Sequence, residues 1–91
     1  MNITFDAAKN ERNIVERGLS FELAAMFDFD TATFEVDNRK NYGEERITAC
    51  GLLFDIPYVL IFTVRGEEIR VISFRKANKR EIRRYEQATR P

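Results

Sequence analysis

The spacing of hydrophobic and polar residues changes between the two halves of the chain. The first 30 residues contain short segments with one polar face, and residues that commonly cap helices lie at the ends of these segments. Asp6 is a suitable N-cap for a helix that runs to about Arg17, and Gly18 can end it in a left-handed conformation. Ser20 can cap a second short helix. The pattern predicts an extended start at residues 3–5 followed by two N-terminal helices.

The second half has the alternating, β-branched pattern that is typical of strands. Three of the predicted strands are separated only by short turn segments, which favours an antiparallel meander. The four predicted strands are residues 33–36, 46–53, 58–65 and 68–75. Asn78 and Glu81 have the spacing of a capping box at the start of a helix that runs to about Ala88. We therefore predict one α+β domain, residues 1–91, with two N-terminal helices packed on a four-stranded antiparallel meander and a closing C-terminal helix.

Both faces of the run 58–65 are largely apolar. One face carries Tyr58, Leu60, Phe62 and Val64, and the other carries Val59, Ile61 and Thr63. The N-terminal helices can cover one face. The other must be buried either under the C-terminal helix or under a protein partner, and the pattern leaves both interpretations open.

Composition excludes several classes of function. The 91 residues include no His, one Cys and equal numbers, 15 each, of basic and acidic residues. Without His, neither a His-based catalytic triad nor a His-containing zinc site is possible. The carboxylates lack the spacing of a calcium loop and the glycines do not form a phosphate-binding loop, so we expect no metal and no cofactor. A single thiol and the lack of an apolar run near the roughly 20 residues of a membrane span indicate a cytoplasmic protein.

The charges are unevenly distributed along the chain. Residues 1–45 carry 5 basic and 10 acidic side chains, whereas residues 46–91 carry 10 basic and 5 acidic side chains. Seven of the later cations lie in the last 17 residues. A positive charge concentrated in this way suits a polyanion such as RNA, although a basic C-terminal helix can also be a solvated surface.

The most distinctive local feature is a basic junction between the last predicted strand and the last helix. Regular alternation places four side chains on one face of the strand: Ile69, Val71, Ser73 and Arg75. Four cations follow in the first turns of the helix: Lys79, Arg80, Arg83 and Arg84. Strand and helix cations can therefore converge at one end of the sheet, where they would stabilise a developing phosphorane without histidine. The alternative interpretation is solvated cations with packed stems.

Glu81 and Tyr85 each allow two interpretations. Glu81 fits a capping box with Asn78, and a carboxylate among cations could also act as a weak base for a ribose hydroxyl. Tyr85 lies four residues later on the same helical face, where it could pack with Ile82, stack on a base or donate a proton.

Five separate pieces of the chain, in order and spacing, resemble the BrnT family. The pieces are Asp6-Ala7-Ala8-Lys9-Asn10 with Asn13-Ile14, Gly18-Leu19-Ser20-Phe21-Glu22, Gly43-Glu44-Glu45-Arg46, Thr63-Val64-Arg65-Gly66 and Ile72-Ser73-Phe74-Arg75-Lys76-Ala77 through Glu81 to Tyr85. The family consists of toxins of type II toxin-antitoxin pairs with a RelE-like ribonuclease fold. The resemblance implies a metal-independent endoribonuclease that cleaves RNA and arrests growth. It also implies a hetero-oligomer with a BrnA antitoxin, whose ribbon-helix-helix domain alone contacts operator DNA as the complex represses its own operon.

The resemblance and the basic junction together define a candidate site. The candidate catalytic residues are Arg65, Arg75, Lys79, Glu81, Arg84 and Tyr85. The cations would hold the phosphate, Glu81 would assist deprotonation of the 2′-hydroxyl, and Tyr85 would stack on a base or help the leaving oxygen.

The chain departs from the family pattern at two places. Family members often have Lys-His-Gly where this chain has Glu16-Arg17-Gly18, and Ser-Ala-Arg where it has Ser73-Phe74-Arg75. A second hypothesis follows, in which loss of that histidine leaves a non-catalytic domain that binds nucleic acid or a protein partner.

Overall fold

The computed structural model describes residues 2–39 and 41–90, which form a five-stranded sheet with helices on both faces. The elements in chain order are β1 (Asn2–Phe5), α1 (Ala7–Arg17), a 3-10 helix (Phe21–Met26), β2 (Thr33–Val36), β3 (Ile47–Leu53), β4 (Ile56–Arg65), β5 (Glu68–Lys76) and α2 (Lys79–Thr89). The strand order is β1-β5-β4-β3-β2, and each neighbouring pair is antiparallel except β1 with β5.

The α+β class and the antiparallel meander β2 to β5 were predicted correctly, but the predicted arrangement differs in two respects. The sheet has five strands rather than four, because β1 pairs in parallel with β5 and places Ile3 beside Ile69. The second N-terminal helix is a single 3-10 segment of six residues. Such short segments are common connectors, since 3-10 geometry does not extend well beyond a few residues.

The ends of α1 follow the predicted capping residues. The Asp6 carboxylate accepts hydrogen bonds from the backbone N–H groups of Ala8, at 2.8 Å, and Lys9, at 3.3 Å. Gly18 has a φ of 65° and donates its N–H to the Ile14 carbonyl at 2.8 Å. A side chain at position 18 would disfavour this left-handed conformation, so glycine sets the direction in which the chain leaves the helix.

The main core lies between the sheet and the N-terminal segments, on what we call the core face. The 3-10 helix and its flanks contribute buried Leu19, Phe21, Ala24 and Phe27, and the strands contribute Ala49, Leu53, Leu60, Phe62, Ile69, Val71 and Phe74. Phe27 meets Phe74 edge to face at 6.1 Å between ring centroids. A Cβ at Gly51 would lie 2.7 Å from Phe27 Cζ, so the absence of a side chain there permits this packing.

Two asparagines attach α1 to the rest of the domain. Asn10 is 8% exposed, and its side-chain oxygen accepts the Phe21 N–H at 2.7 Å. The Asn13 amide donates to the carbonyl of Leu19 at 2.9 Å and to that of Phe74 at 3.0 Å. Because these partners come from different elements, the amides fix the C-terminal end of α1 against the end of β5.

A β-bulge in β5 places some of its side chains on a different face of the sheet from the one predicted. The register with β4 passes from Ile61 opposite Ser73 to Phe62 opposite Val71, which leaves Ile72 as an extra residue. The extra residue inverts the alternation, so Ile69 and Val71 face the core while Ser73 and Arg75 lie on the opposite, second face. The prediction of one shared face was therefore wrong for half of the strand.

The second face is partly covered by α2. Val59, which pairs with Arg75 across the sheet, is 1% exposed, and Tyr85 of α2 is 7% exposed above it. Of the two interpretations left open by the sequence, burial under the C-terminal helix accounts for this part of the face. Within the described part of the chain, no helix is long and apolar enough to cross a membrane.

Candidate active site

A cleft of about 190 Å³ lies between α2 and the second face of the sheet, and we call it the α2 cleft. The sheet side is formed by residues of β2, β3 and β4, including Glu35, Cys50 and Val59. The helix side includes Glu81, Arg84 and Tyr85, which recur on one side of α2 at helical spacing. The cleft thus combines carboxylates, a cation and an aromatic ring.

The first turn of α2 is fixed by the predicted capping box. The Asn78 side-chain oxygen accepts the Glu81 N–H at 2.8 Å, and Glu81 Oε1 accepts the Asn78 N–H at 2.9 Å. Two backbone donors that have no partner inside the helix are satisfied in this way. The predicted capping role of Glu81 is confirmed, and Glu81 lines the cleft.

The same carboxylate forms a two-point ion pair with Arg75. Arg75 Nη1 donates to Glu81 Oε1 at 2.8 Å, and Nη2 donates to Oε2 at 2.9 Å. The Arg75 side chain is 30% exposed and that of Glu81 is 18% exposed, so both charges are largely shielded from water. The planar guanidinium matches the carboxylate in a geometry that lysine cannot reproduce.

This pair shifts the titration of both groups. The hydrogen bonds from Arg75 lower the pKa of Glu81 below its ordinary value, against the opposing effect of burial. The Asn78 N–H and the charges of Arg75 and Arg84 lower it further. The hydrogen bonds to Glu81 likewise raise the pKa of Arg75. At neutral pH, Glu81 is therefore ionised and is a poor proton acceptor while Arg75 holds it.

Four of the six predicted site residues come together here. Arg75 is paired with Glu81, and Glu81, Arg84 and Tyr85 line the cleft. Arg84 is exposed, and it forms no ion pair with another described residue. Its charge is thus available to a ligand in the α2 cleft.

The other two predicted residues lie outside the cleft. Arg65, at the end of β4, pairs with Glu44 at 3.2 Å. It is six residues along the strand from Val59, or about 20 Å at the usual rise of a β-strand. Lys79 is the first residue of α2, is exposed and does not line the cleft.

Two cleft residues were missed in the sequence. Glu35 on β2 pairs with Thr48 across the sheet and lies on the cleft wall opposite α2. Its side chain forms no ion pair with another described residue. The alternation of polar and apolar residues in β2 indicated that Thr33 and Glu35 share a face, but not what they face. Cys50 lies beside them, and burial, followed by the charge of Glu81, raises the pKa of its thiol.

The site offers cations and isolated carboxylates rather than a cluster of metal ligands. Among residues 2–39 and 41–90, no group of three or more His, Cys, Asp or Glu side chains could hold a metal ion. Arg75 and Arg84 can bind phosphate, and Glu35 and Glu81 can transfer a proton.

Comparison with known proteins places the chain in a family. A search of curated proteins found no match. The sequence model for "Ribonuclease toxin, BrnT, of type II toxin-antitoxin system" matches residues 5–81. This range includes β2 to β5 and both partners of the Arg75–Glu81 pair, whereas Arg84 and Tyr85 lie beyond its end. Because the match covers most of the sequence, the chain belongs to the BrnT family, the ribonuclease toxins of type II toxin-antitoxin systems.

Proposed function

We propose that this toxin is a metal-independent endoribonuclease that cleaves RNA in the α2 cleft and arrests growth in the cytoplasm. The observation that carries the proposal is the placement of Arg75 and Arg84 near Glu81, which lines a cleft in a ribonuclease toxin. Two guanidinium groups supply the positive charge that a phosphoryl transition state requires.

The reaction proposed is an internal transfer within the RNA strand. The ribose 2′-oxygen attacks the adjacent phosphorus and forms a 2′,3′-cyclic phosphate, while the bond from phosphorus to the 5′-oxygen of the next nucleotide breaks. One proton leaves the 2′-hydroxyl and one is gained by the departing 5′-oxygen, so the step needs no other reactant. The protein must hold the phosphate, stabilise its extra negative charge and provide a proton acceptor.

Arg75 and Glu81 exchange partners in the proposed mechanism. The phosphate of the RNA takes the two donors of Arg75 that Glu81 occupies in the free protein. Because those hydrogen bonds are the largest cause of the lowered Glu81 pKa, their loss returns the carboxylate toward its ordinary basicity. Glu81 then accepts the 2′-hydroxyl proton, while Asn78 keeps it at the helix start.

The remaining candidates have supporting roles. Arg84 binds the developing charge from the helix side of the cleft, and Tyr85 stacks on a base or assists the departing oxygen. Arg65 and Lys79 contribute through the positive field that attracts RNA, because both lie outside the cleft.

We further propose a BrnA-type ribbon-helix-helix antitoxin as the partner. Its acidic residues would face the segment from Arg75 to Arg84 and block RNA by contact and by charge. Its ribbon-helix-helix domain would bring the complex to operator DNA as a repressor. The hetero-oligomer is supported by large apolar side chains that stay exposed on the free toxin, among them Phe34, at 50%, and Phe54, at 65%. Titrating the cognate antitoxin into the toxin should give a stable complex that no longer cleaves RNA.

The central experiment incubates purified, antitoxin-free toxin with RNA in the presence of a chelator and maps the product ends. Cleavage products with 2′,3′-cyclic phosphate are expected, and intact RNA at high enzyme excess would refute the proposed activity. Glu81→Gln should reduce cleavage by about 100-fold or more, because an amide cannot accept the proton. Glu35→Gln, on the opposite wall of the same cleft, is the matched control and should cleave within a few-fold of the parent. A larger loss in Glu35→Gln than in Glu81→Gln would assign the base to Glu35 instead.

One observation favours the second function, a domain that binds RNA or its partner without cleavage. Glu81 takes one N–H from each Nη of Arg75 and the Lys76 carbonyl takes another from Nη1, so a pair that persisted in the complex would leave Arg75 fewer donors for a phosphate. In that case the parent protein binds RNA in the chelator experiment but releases no product.

A further inference from the structure

A second cavity, of about 430 Å³, opens on the core face at the same end of the sheet as Arg75. It is lined by Arg17, Gly18, Leu19, Tyr58 and Lys76, and we call it the Arg17–Lys76 cavity. None of these residues lines the α2 cleft. The two cavities are therefore separate spaces on opposite faces of the sheet.

The cavity walls are held in place by hydrogen bonds of Asn13 and by strand and ring contacts of Tyr58. Asn13 donates to the carbonyls of Leu19 and Phe74, which fixes the end of α1, and with it Arg17, beside the end of β5. Lys76 pairs with Tyr58 across the sheet, and the Tyr58 ring packs on Phe74 at 5.6 Å between centroids. These anchored backbones bring two cations from distant parts of the sequence to one cavity.

The charges of this cavity are unbalanced. Arg17 and Lys76 are both exposed, and neither takes part in an ion pair between described residues. Of the described residues that line the cavity, none carries a carboxylate. Two unpaired cations that share a concave surface attract an anion, and the field is stronger in a concavity than on a convex surface.

The surroundings favour a nucleic-acid phosphate over a protein segment. Leu19 is 6% exposed, and the other side chains of the lining are the Tyr58 ring and the two cations. An aromatic ring beside cations is typical of sites that bind single-stranded nucleic acid. Lys76 directly follows Arg75, and successive side chains of a strand point to opposite faces. A strand of RNA that passes across this end of the sheet can therefore meet Arg75 on one face and Lys76 on the other.

We propose that Arg17 and Lys76 form a phosphate-binding subsite for the RNA strand, one that holds a phosphodiester flanking the cleaved one. The proposal rests on the ribonuclease function proposed above. It assigns binding, not chemistry, to the Arg17–Lys76 cavity. Arg17 and Lys76 should thus strengthen the binding of long RNA and have no effect on the cleavage of an RNA too short to reach the cavity.

The test compares the double variant Arg17→Gln/Lys76→Gln with the parent on RNAs of two lengths. Binding is measured with a 2′-O-methyl 12-mer, which cannot be cleaved through its 2′-oxygen, at several salt concentrations. We expect affinity to fall by about 10-fold and the slope of log affinity against log salt to decrease by about 0.7, the value for one phosphate on a single strand. Cleavage of a dinucleotide should remain within about two-fold. The matched control, Lys9→Gln/Arg12→Gln, removes two exposed cations of α1 outside the cavity and should bind the 12-mer within about three-fold of the parent.

The outcomes separate this proposal from the proposed function. If the parent cleaves RNA and both double variants bind the 12-mer equally well, the subsite is wrong and the ribonuclease stands. If the parent neither binds nor cleaves RNA, the ribonuclease proposal itself fails. If Arg17→Gln/Lys76→Gln binds RNA normally but loses affinity for the antitoxin, the cavity is a protein-docking site and the subsite proposal is wrong. Circular dichroism of each variant verifies folding, which is expected because the four side chains are exposed.

Discussion

Replacing Glu81 by glutamine separates the two interactions that its carboxylate makes. Glutamine can still accept the Asn78 N–H, so the capping box is retained. It has a single acceptor oxygen, however, and can keep only one of the two hydrogen bonds from Arg75, without the ionic attraction. The change therefore measures the Arg75–Glu81 pair with little contribution from the cap.

The size of the effect follows from the geometry and exposure of the pair. A hydrogen bond between charged groups contributes about 1.5–3 kcal/mol, and residual exposure of 30% and 18% moves this toward the lower end. We expect Glu81→Gln to lower the free energy of unfolding at pH 7 by about 1–2 kcal/mol. For a domain of this size, that corresponds to a fall of about 5–15 °C in Tm.

The pH dependence provides an independent check. The folded-state pKa of Glu81 lies below its ordinary value of 4.5, so folding is stabilised above that pH, and the stabilisation is lost as pH falls through the folded-state pKa. Glutamine does not titrate, so the stabilities of parent and variant should converge on acidification below pH 4.5. Urea unfolding of both proteins from pH 7 down to the lowest pH at which they fold gives the difference directly. A difference below about 0.3 kcal/mol at pH 7, or one that persists unchanged in acid, would show that the pair does not stabilise the fold.

Three further substitutions test the cations and the core. Arg75→Lys keeps the charge but loses the planar guanidinium, so it should reduce cleavage strongly and barely change the salt dependence of RNA binding. Arg83→Gln, on the exposed side of α2, should lower the slope of log affinity against log salt by at most one unit and leave single-turnover cleavage unchanged. Equal cleavage by Arg75→Lys and the parent would show that Arg75 does not act in the site. Gly51→Ala should destabilise the fold by about 1–3 kcal/mol in urea unfolding, because its Cβ would lie 2.7 Å from Phe27 Cζ and 2.8 Å from Ala32 Cβ; unchanged stability would mean that the Phe27 ring can move aside.

The parts of the fold that could be predicted from the sequence depend on residues close together in the chain. Asp6 and Asn78 begin helices and Gly18 ends one, through contacts within four residues that form as the sequence indicates. The pairing of β1 with β5 could not be predicted in this way, since it joins Asn2 to Glu68 across most of the chain. The bulge at Ile72 also lacks a local signal, because its neighbours alternate as in a regular strand.

In the candidate site too, only the contacts between residues close together in the chain could be predicted. Arg75 and Glu81 converge because β5 leads into α2 with only Ala77 and Asn78 between them, so local sequence places them together. Arg65 resembles them in type but lies at the far end of β4, and only the register of the strands separates it from the others. Glu35 comes from β2, and its position opposite α2 requires the complete sheet order.

Binding energy at one of the two proposed phosphate sites can offset an energetic cost at the other. Productive binding in the α2 cleft requires RNA to replace Glu81 on Arg75, which costs about the 1–2 kcal/mol that the pair contributes to stability. A flanking phosphate that reaches Arg17 and Lys76 only when the cleaved phosphate is held by Arg75 would offset this cost. Binding energy used in this way raises kcat, because it lowers the barrier of the bound complex rather than only tightening the ground state. The length of the RNA, rather than its affinity alone, should therefore determine how often the Arg75–Glu81 pair opens to allow cleavage.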